Sequence, residues 1–239
     1  MNNRRTLIAA IVGGALLLGA AGLGIIYFVV FAGSSPQKLA LSSPTPSTSA
    51  STSPDSSTGA GTWTVGSGSQ AGYRVREKLA ALSAPSDAVG RTTAVTGTLT
   101  LTQASSGYSV TAANFTVDVS KLSSDQSRRD QRIHSQGLES DRYPTATFTL
   151  TSPIALAADA GSGQTIHLSA TGDLTIHGVT KSVTIPIDAR LTGSTIELVG
   201  SISFPFSQFG MTPPSIGGFV SVQNTATMEF QLLLTRQGA

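Results

Sequence analysis

The residues best suited to chemistry are three histidines, a group of arginines and one acid beside an apolar strand. His167 and His177 both have the opposite parity to the large apolar residues of their segments, so both are expected to face away from the apolar side. His134 falls in a polar segment. Because a three-histidine metal site requires all three imidazoles to converge, this pattern predicts no metal centre.

Other catalytic patterns are also missing from the sequence. There is no cysteine, which excludes disulfides, thiolate nucleophiles and cysteine-ligated zinc. No GxSxG elbow, P-loop or dinucleotide fingerprint occurs, and the few acids form no obvious carboxylate pair. We therefore predict a protein that is not an enzyme and that needs no cofactor.

A polar segment, Leu122–Tyr143, is expected to contain one short helix. Ser123 and Gln126 have capping-box spacing, and Gly137 suits a helix end. Ile133 is the only large apolar residue between them, so the helix has no stripe wide enough to plug a core. It is expected on the surface or across a barrel mouth.

This helix carries most of the candidate head-group ligands. Arginine forks bind phosphate well, so at a barrel mouth they could hold a diphosphate or another polar head group. The alternative is a solvated helix in which Arg129 pairs with Asp125 or Asp130. The candidates on the helix are Arg128, Arg129, Arg132 and His134.

Tyr73, Val75 and Glu77 share one strand parity. If Tyr73 and Val75 face inward, Glu77 does too, and an inward carboxylate is costly unless it is paired or lies near the rim. The alternative is that Glu77 occupies the solvated end of its strand. Glu77 is therefore a further head-group candidate.

The elements that would position these residues are strands. Apolar and polar residues alternate through most of residues 62–239, and Gly172–Ile187 reads as two strands joined by a tight turn at His177–Gly178. Gly97, Gly172 and Gly200 interrupt strands, which suggests bulges or sharp bends. Such bends favour a mostly β, antiparallel barrel with one short helix; a flat sandwich is the alternative.

The chain divides into three zones: residues 1–33, 34–61 and 62–239. The uncharged run Leu7–Ala32 is long enough for a transmembrane helix, and the preceding Arg4 and Arg5 predict a cytoplasmic N-terminus. A cleaved signal peptide is the alternative, and both place the domain outside the cytoplasm. The Ser/Thr/Pro-rich zone 34–61 is predicted to be a disordered linker.

The net charge of +2, without a basic run interleaved with aromatics, argues against nucleic-acid binding.

Several motifs occur in a characteristic order: AVGRTTAVTG, FTVDVSKLSSDQSRRDQRI, YPTATFTL, GDLTIHGVTKSV and FSQFGM. In this order the chain resembles the YceI-like family of bacterial polyisoprenoid-binding β-barrels. The resemblance implies a lipocalin-like barrel whose apolar lumen holds an isoprenoid or similar amphiphile. Glu77 and Lys78 stand where many members have a histidine-containing stretch, so any contact made by that histidine is in doubt.

Strand parity does not separate a ligand cavity from a filled core; the family resemblance favours the cavity. The function expected is that of a membrane-anchored, extracytoplasmic carrier of an isoprenoid or other lipid ligand. The alternatives are a structural or stress-protective envelope module and an enzyme acting on envelope lipids. Phe204–Phe219 is expected to form a long loop that gates one end. The expected lining residues are Tyr73, Val75, Val117, Phe148, Leu150, Ile166, Leu168, Leu174, Ile176, Val183, Ile185, Ile196, Met228 and Phe230.

Overall fold

The structure is a computed structural model that describes residues 35–43, 59–79, 86–104, 107–157, 159–216 and 220–236. The predicted membrane segment, residues 7–32, lies outside the described residues, as does most of the predicted linker. Within these ranges no helix combines the length and the apolar composition needed to cross a membrane.

Alternating Thr, Val and Ile residues form the strands, as their β-branched side chains favour. The helix α1 spans Ser127–Ser135, and two 3₁₀ turns span Val119–Lys121 and Phe206–Phe209. The strands are β1 Gly61–Val65, β2 Gln70–Leu79, β3 Ser86–Thr92, β4 Val95–Ala104, β5 Gly107–Asp118, β6 Thr145–Leu150, β7 Ile154–Ala155, β8 Ile166–Ile176, β9 Val179–Thr192, β10 Thr195–Pro205, β11 Ser215–Ile216 and β12 Val220–Arg236.

The strands close into an antiparallel barrel, as predicted, and the sandwich alternative is wrong. β12 pairs with β10 on one side and with both β1 and β2 on the other. β1 and β2 therefore act as one bent strand, and β3 and β4, which pair with β2 and β1 respectively, act as its bent neighbour. Counted in this way, eight strands form the ring, and β5, β6, β8 and β9 complete it between β4 and β10.

The hairpin of β8 and β9 confirms the turn predicted at His177–Gly178. Both turn residues have positive φ, 53° and 71°. Two successive positive φ values are the mark of a type I′ turn, whose twist matches that of the flanking strands. β5 contains a bulge at Thr111, because Thr100 pairs with Ala112 whereas the next residue, Leu101, pairs with Val110.

Helix α1 starts differently from the prediction. Its N-cap is Gln126, which makes no side-chain cap hydrogen bond. Ser123 instead pairs with Arg91 of β3 through two backbone hydrogen bonds of 2.9 and 3.0 Å. The helix buries none of its residues, which agrees with its lack of an apolar stripe.

The described part of the predicted loop Phe204–Phe219, residues 204–216, is more structured than a loop. Its first two residues end β10, and the 3₁₀ turn follows at once. Phe206 and Phe209 are buried in the core, with Phe209 at 0% exposure. Three aromatic rings within six residues gain more from burial than from forming a mobile loop. The segment therefore packs against one end of the barrel.

Candidate functional site

The barrel interior holds two apolar cavities that adjoin one another. The larger, the mouth cavity, has a volume of about 140 Å³ and is lined in part by α1 and by the segment after β10. The inner cavity has a volume of about 70 Å³. Ala71, Val117, Ala146 and Met228 line both, so the two spaces meet at these residues. The inward side chains thus leave the centre of the barrel partly hollow.

Glycines in neighbouring strands explain how aromatic rings line this space without filling it. A Cβ atom placed on Gly90 would lie 2.3 Å from the Tyr73 ring, and one on Gly200 would lie 2.5 Å from the Phe230 ring. Gly97 and Gly172 stand in the same relation to Phe115 and Phe148. Each ring therefore lies against bare backbone, close to the barrel wall.

Nine of the fourteen predicted lining residues face the cavities. Those that do not are nevertheless inside the barrel, where they pack in the apolar clusters around the cavities. The mouth cavity is lined by Tyr73, Val75, Val117, Ile176 and Met228, and the inner cavity by Val117, Phe148, Leu174, Ile185, Met228 and Phe230. The residues that line neither are Leu150, Ile166, Leu168, Val183 and Ile196.

An ion pair stands at the mouth. Glu77 and Arg129 are the two charged residues among the described lining of the mouth cavity. Arg129 binds Glu77 in a bidentate manner, with Nε–Oε1 and Nη2–Oε2 distances of 3.2 and 3.1 Å. Its Nη1 group donates to Asp125 and to the Ser124 hydroxyl. All three guanidinium nitrogens are thus engaged, and the inward Glu77 is paired.

Arg129 stays fully charged in this setting. Burial by itself would lower the pKa of Arg129, but the hydrogen bonds and charges of Glu77 and Asp125 outweigh it and raise that pKa above the ordinary value. The predicted pairing with Asp125 is therefore present. Asp130, the other predicted partner, instead accepts hydrogen bonds from the backbone and hydroxyl of Ser124 at 3.0 and 2.6 Å.

The Tyr73 hydroxyl is a neutral polar group inside the mouth. It is buried and has no hydrogen-bond partner among the described residues. Burial raises the pKa of Tyr73 above its ordinary value; the charge of Arg129 and the nearby Ser124 side chain oppose this shift, and the charges of Asp130 and Glu77 add to it. The hydroxyl therefore keeps its proton and can donate it in a hydrogen bond to a ligand.

The remaining predicted head-group candidates lie away from the lumen. Arg128 and Arg132 line a shallow, separate hollow on the outer side of α1. His134 accepts or donates a hydrogen bond of 2.6 Å with the Ser140 hydroxyl. Of the helical candidates, the structure thus brings Arg129 alone to the mouth.

The other two histidines, His167 and His177, do not line either cavity. His167 is exposed and bonds Asp188 on the adjacent strand at 2.6 Å. The expectation that His177 faces outward is wrong: its side chain is 11% exposed, because the turn directs Nδ1 to the Phe209 carbonyl at 3.2 Å. No cluster of three or more metal-ligating side chains occurs in the described ranges.

Several lining residues were missed from the sequence. Ile133 on α1, Leu138 after it, and Phe206, Met211 and Pro214 after β10 all line the mouth cavity. Ile133 offered a usable signal, since residues four apart share a helix face and Arg129 precedes it by four. The others belong to irregular segments, where strand parity gives no direction.

The family model for the YceI-like domain matches residues 63–234. The chain belongs to the YceI-like family. The match covers every strand of the barrel except the ends of β1 and β12, and it includes α1 and both cavities. The family resemblance drawn from the ordered motifs is confirmed.

Relatives in this family match over shorter stretches. A UPF0312 protein of Vibrio campbellii is 39% identical over 82 residues, which are 34% of this chain and 39% of that protein. Protein YceI of Shigella flexneri is 37% identical over 81 residues, which are 34% of this chain and 37% of that protein. The chain thus spans less than half the length of these curated relatives.

One solved structure extends the likeness to the whole barrel. It is a polyisoprenoid binding domain from Saccharophagus degradans implicated in plant cell wall breakdown, and it aligns with a TM-score of 0.53 at 13% identity. The alignment covers 74% of this chain and 99% of that one. At this identity the likeness shows a shared fold.

Proposed function

We propose that this YceI-like protein binds the hydrocarbon tail of an isoprenoid or similar long-chain amphiphile in its lumen, without catalysis. The observation that carries the proposal is the pair of adjoining apolar cavities along the barrel interior. The polyisoprenoid-binding domain that shares the fold supports it. The site would lie outside the cytoplasm, with the run 7–32 anchoring the chain in the cell membrane and the N-terminus in the cytoplasm.

Burial of the tail supplies the binding energy, at about 0.8 kcal/mol per methylene group. Both cavities are smaller than the ~300–1,000 Å³ typical of small-molecule sites, so a long tail must push inner side chains aside. Met228 lies where the two cavities meet. Its unbranched side chain adopts new rotamers at low cost, and its displacement would join the two spaces into one.

The head group that fits the mouth is polar but uncharged. Four of the five N–H donors of Arg129 are taken by Glu77, Asp125 and Ser124, and its charge is balanced by the two carboxylates, so little is left to hold a phosphate. A diphosphate at the mouth would therefore be repelled by the carboxylates of Glu77 and Asp125, with no unpaired cation beside them to attract it. The Tyr73 hydroxyl, buried and unpartnered in the described structure, suits a ligand oxygen such as that of an alcohol or a carbonyl.

The test compares two ligands that share one tail. The full chain in detergent is mixed with a polyprenol and, separately, with the polyprenyl diphosphate of equal length, and bound lipid is measured by native mass spectrometry. We expect the alcohol to bind more tightly. If neither ligand binds, and the protein as purified carries no lipid, the proposed function is wrong; tighter binding of the diphosphate would overturn the head-group assignment alone.

Two variants sharpen the comparison. Tyr73→Phe keeps the ring and removes one neutral hydrogen bond, worth about 0.5–1.5 kcal/mol, so the affinity for the alcohol should fall by about two- to tenfold. Glu77→Gln removes a negative charge beside Arg129, which should raise the affinity for the diphosphate relative to the alcohol. Arg128→Ala, on the outer side of α1, is the matched control and should leave both affinities unchanged.

A further inference from the structure

The outer face of the barrel holds a segment of the chain that the sequence assigns to the disordered linker. Residues 37–43 form neither helix nor strand, and Leu39 and Leu41 are half-buried while Lys38 and Ala40 are exposed. This alternation is that of an extended chain with one side packed. We call residues 37–43 the strap.

Four barrel side chains hold the strap through its backbone. Gln231 Nε2 donates to the Ala40 carbonyl at 3.2 Å. Glu197 accepts hydrogen bonds of 2.9 Å from both the amide and the hydroxyl of Ser42. Guanidinium groups donate to two more strap carbonyls, Arg91 to that of Gln37 and Arg190 to that of Ser42.

These side chains come from four different strands, and three of them, Arg190, Glu197 and Gln231, are linked to one another. Glu197 of β10 pairs with Arg190 of β9 at 3.2 Å and accepts from Gln231 of β12 at 2.7 Å. The Glu197 side chain is only 6% exposed. A carboxylate so deeply buried on the outside of a barrel requires several hydrogen-bond donors, and the strap supplies two of them.

We propose that this outer face is a docking groove for an extended peptide and that the strap is its occupant, held by Arg91, Arg190, Glu197 and Gln231. Recognition acts on three backbone carbonyls and one amide, and on one side chain, the Ser42 hydroxyl, so it depends mainly on the path of the strap backbone. The 28-residue zone 34–61 is then not one uniform tether.

The electrostatics of Glu197 agree with a docked strap. Burial by itself would raise the pKa of Glu197, but hydrogen bonds from Gln231 and Ser42 and the charge of Arg190 outweigh it and hold that pKa below the ordinary value. The carboxylate is therefore ionised at neutral pH, which is the state that accepts from the strap.

Trypsin provides a direct test, because Lys38 is the only lysine or arginine between Arg5 and Arg74. Cleavage after Lys38 proceeds through the opened strap. We expect the full chain in detergent to be cut there at least tenfold more slowly than a synthetic peptide of residues 34–61. The Arg190→Ala/Glu197→Ala double variant, which removes an ion pair without a change in net charge, should approach the peptide's rate.

The controls keep the proposal open to refutation. Arg128 lies on α1 and makes no contact with the strap among the hydrogen bonds of the described residues, so Arg128→Ala should be cut at the wild-type rate. Circular dichroism checks that the double variant is folded. If that variant does not fold, hydrogen exchange of the wild-type chain decides: protection of the Ser42 amide, the strap N–H that donates to Glu197, supports docking. Cleavage of the wild-type chain at the peptide's rate, or exchange without protection, overturns the proposal.

Discussion

The contact between Gly90 and Tyr73 allows the hollow interior to be tested with a single methyl group. The two residues are direct partners across β2 and β3. A Cβ atom at position 90 would lie 2.3 Å from Cε1 and 2.8 Å from Oη of Tyr73. Gly90 is not among the positive-φ residues, so alanine fits its backbone. The Gly90→Ala substitution therefore acts through the tyrosine ring.

The size of the effect follows from these distances. Carbon atoms in contact lie about 3.5–4.0 Å apart, so the ring must move by more than about 1 Å, and the space available to it is the mouth cavity. Such overpacking costs about 1–3 kcal/mol of stability. A shift of this size removes room for one or two methylene groups, or about 0.8–1.6 kcal/mol of tail burial, which weakens lipid binding by about four- to fifteenfold.

The assay is displacement of a fluorescent long-chain amphiphile by polyprenol, with thermal melting measured in parallel. Tyr73→Ala provides the control, because without the ring the added methyl group has nothing to displace. In that background Gly90→Ala should change affinity by less than twofold, so the double-mutant cycle should assign nearly the whole loss to the pair. Wild-type affinity of the Gly90→Ala variant, or an equal loss with and without the ring, would refute the reasoning.

Two further predictions concern charges on the outer face. Glu229→Ala should lower the free energy of unfolding in urea by about 3 kcal/mol, because the Glu229 carboxylate is 3% exposed and pairs with two arginines. Arg76→Ala, which removes a side chain that is 46% exposed, should lower it by under about 1 kcal/mol. Equal losses in the two variants would contradict this account. The strap should undock in acid, because the two Ser42 hydrogen bonds help to hold the pKa of Glu197 below its ordinary value. Docking therefore contributes stability above the pKa of the undocked carboxylate, and this contribution is lost as the pH falls through the lower, docked-state pKa. A nitroxide on Ala40→Cys, in a chain without other cysteines, should gain mobility below about pH 4 while the barrel stays folded; an unchanged spectrum would count against docking through Glu197.

Local patterns were enough to predict the barrel. Alternation set which residues face inward, and the glycine at the His177–Gly178 turn set the register of its hairpin. The parity of Tyr73, Val75 and Glu77 correctly indicated that all three face the same way, because strand periodicity does not depend on distant parts of the chain.

The predictions that were wrong or incomplete concern residues whose partners are distant in sequence. Leu39 and Leu41 are the only large apolar residues of zone 34–61, a signal that the overall composition of the zone conceals. The groove that holds them is assembled from four strands, so it cannot be predicted from the zone itself. On α1, the cluster of arginines showed that an anion could bind but not where. The bidentate partner of Arg129 is Glu77, 52 residues away, and it turns an expected phosphate site into a neutralised pair.

The same reasoning explains why the sequence left the interior undecided between hollow and filled. Gly97, Gly172 and Gly200 were read as bends, which is what a glycine signals from within its own strand. Across the sheet each has a second role, because the absent side chain lets an aromatic ring lie flat on the wall. A side chain at any of these glycines would collide with the ring that faces it. The width of the lumen is thus set by pairs of residues on different strands, so the residue pattern along one strand does not predict that width.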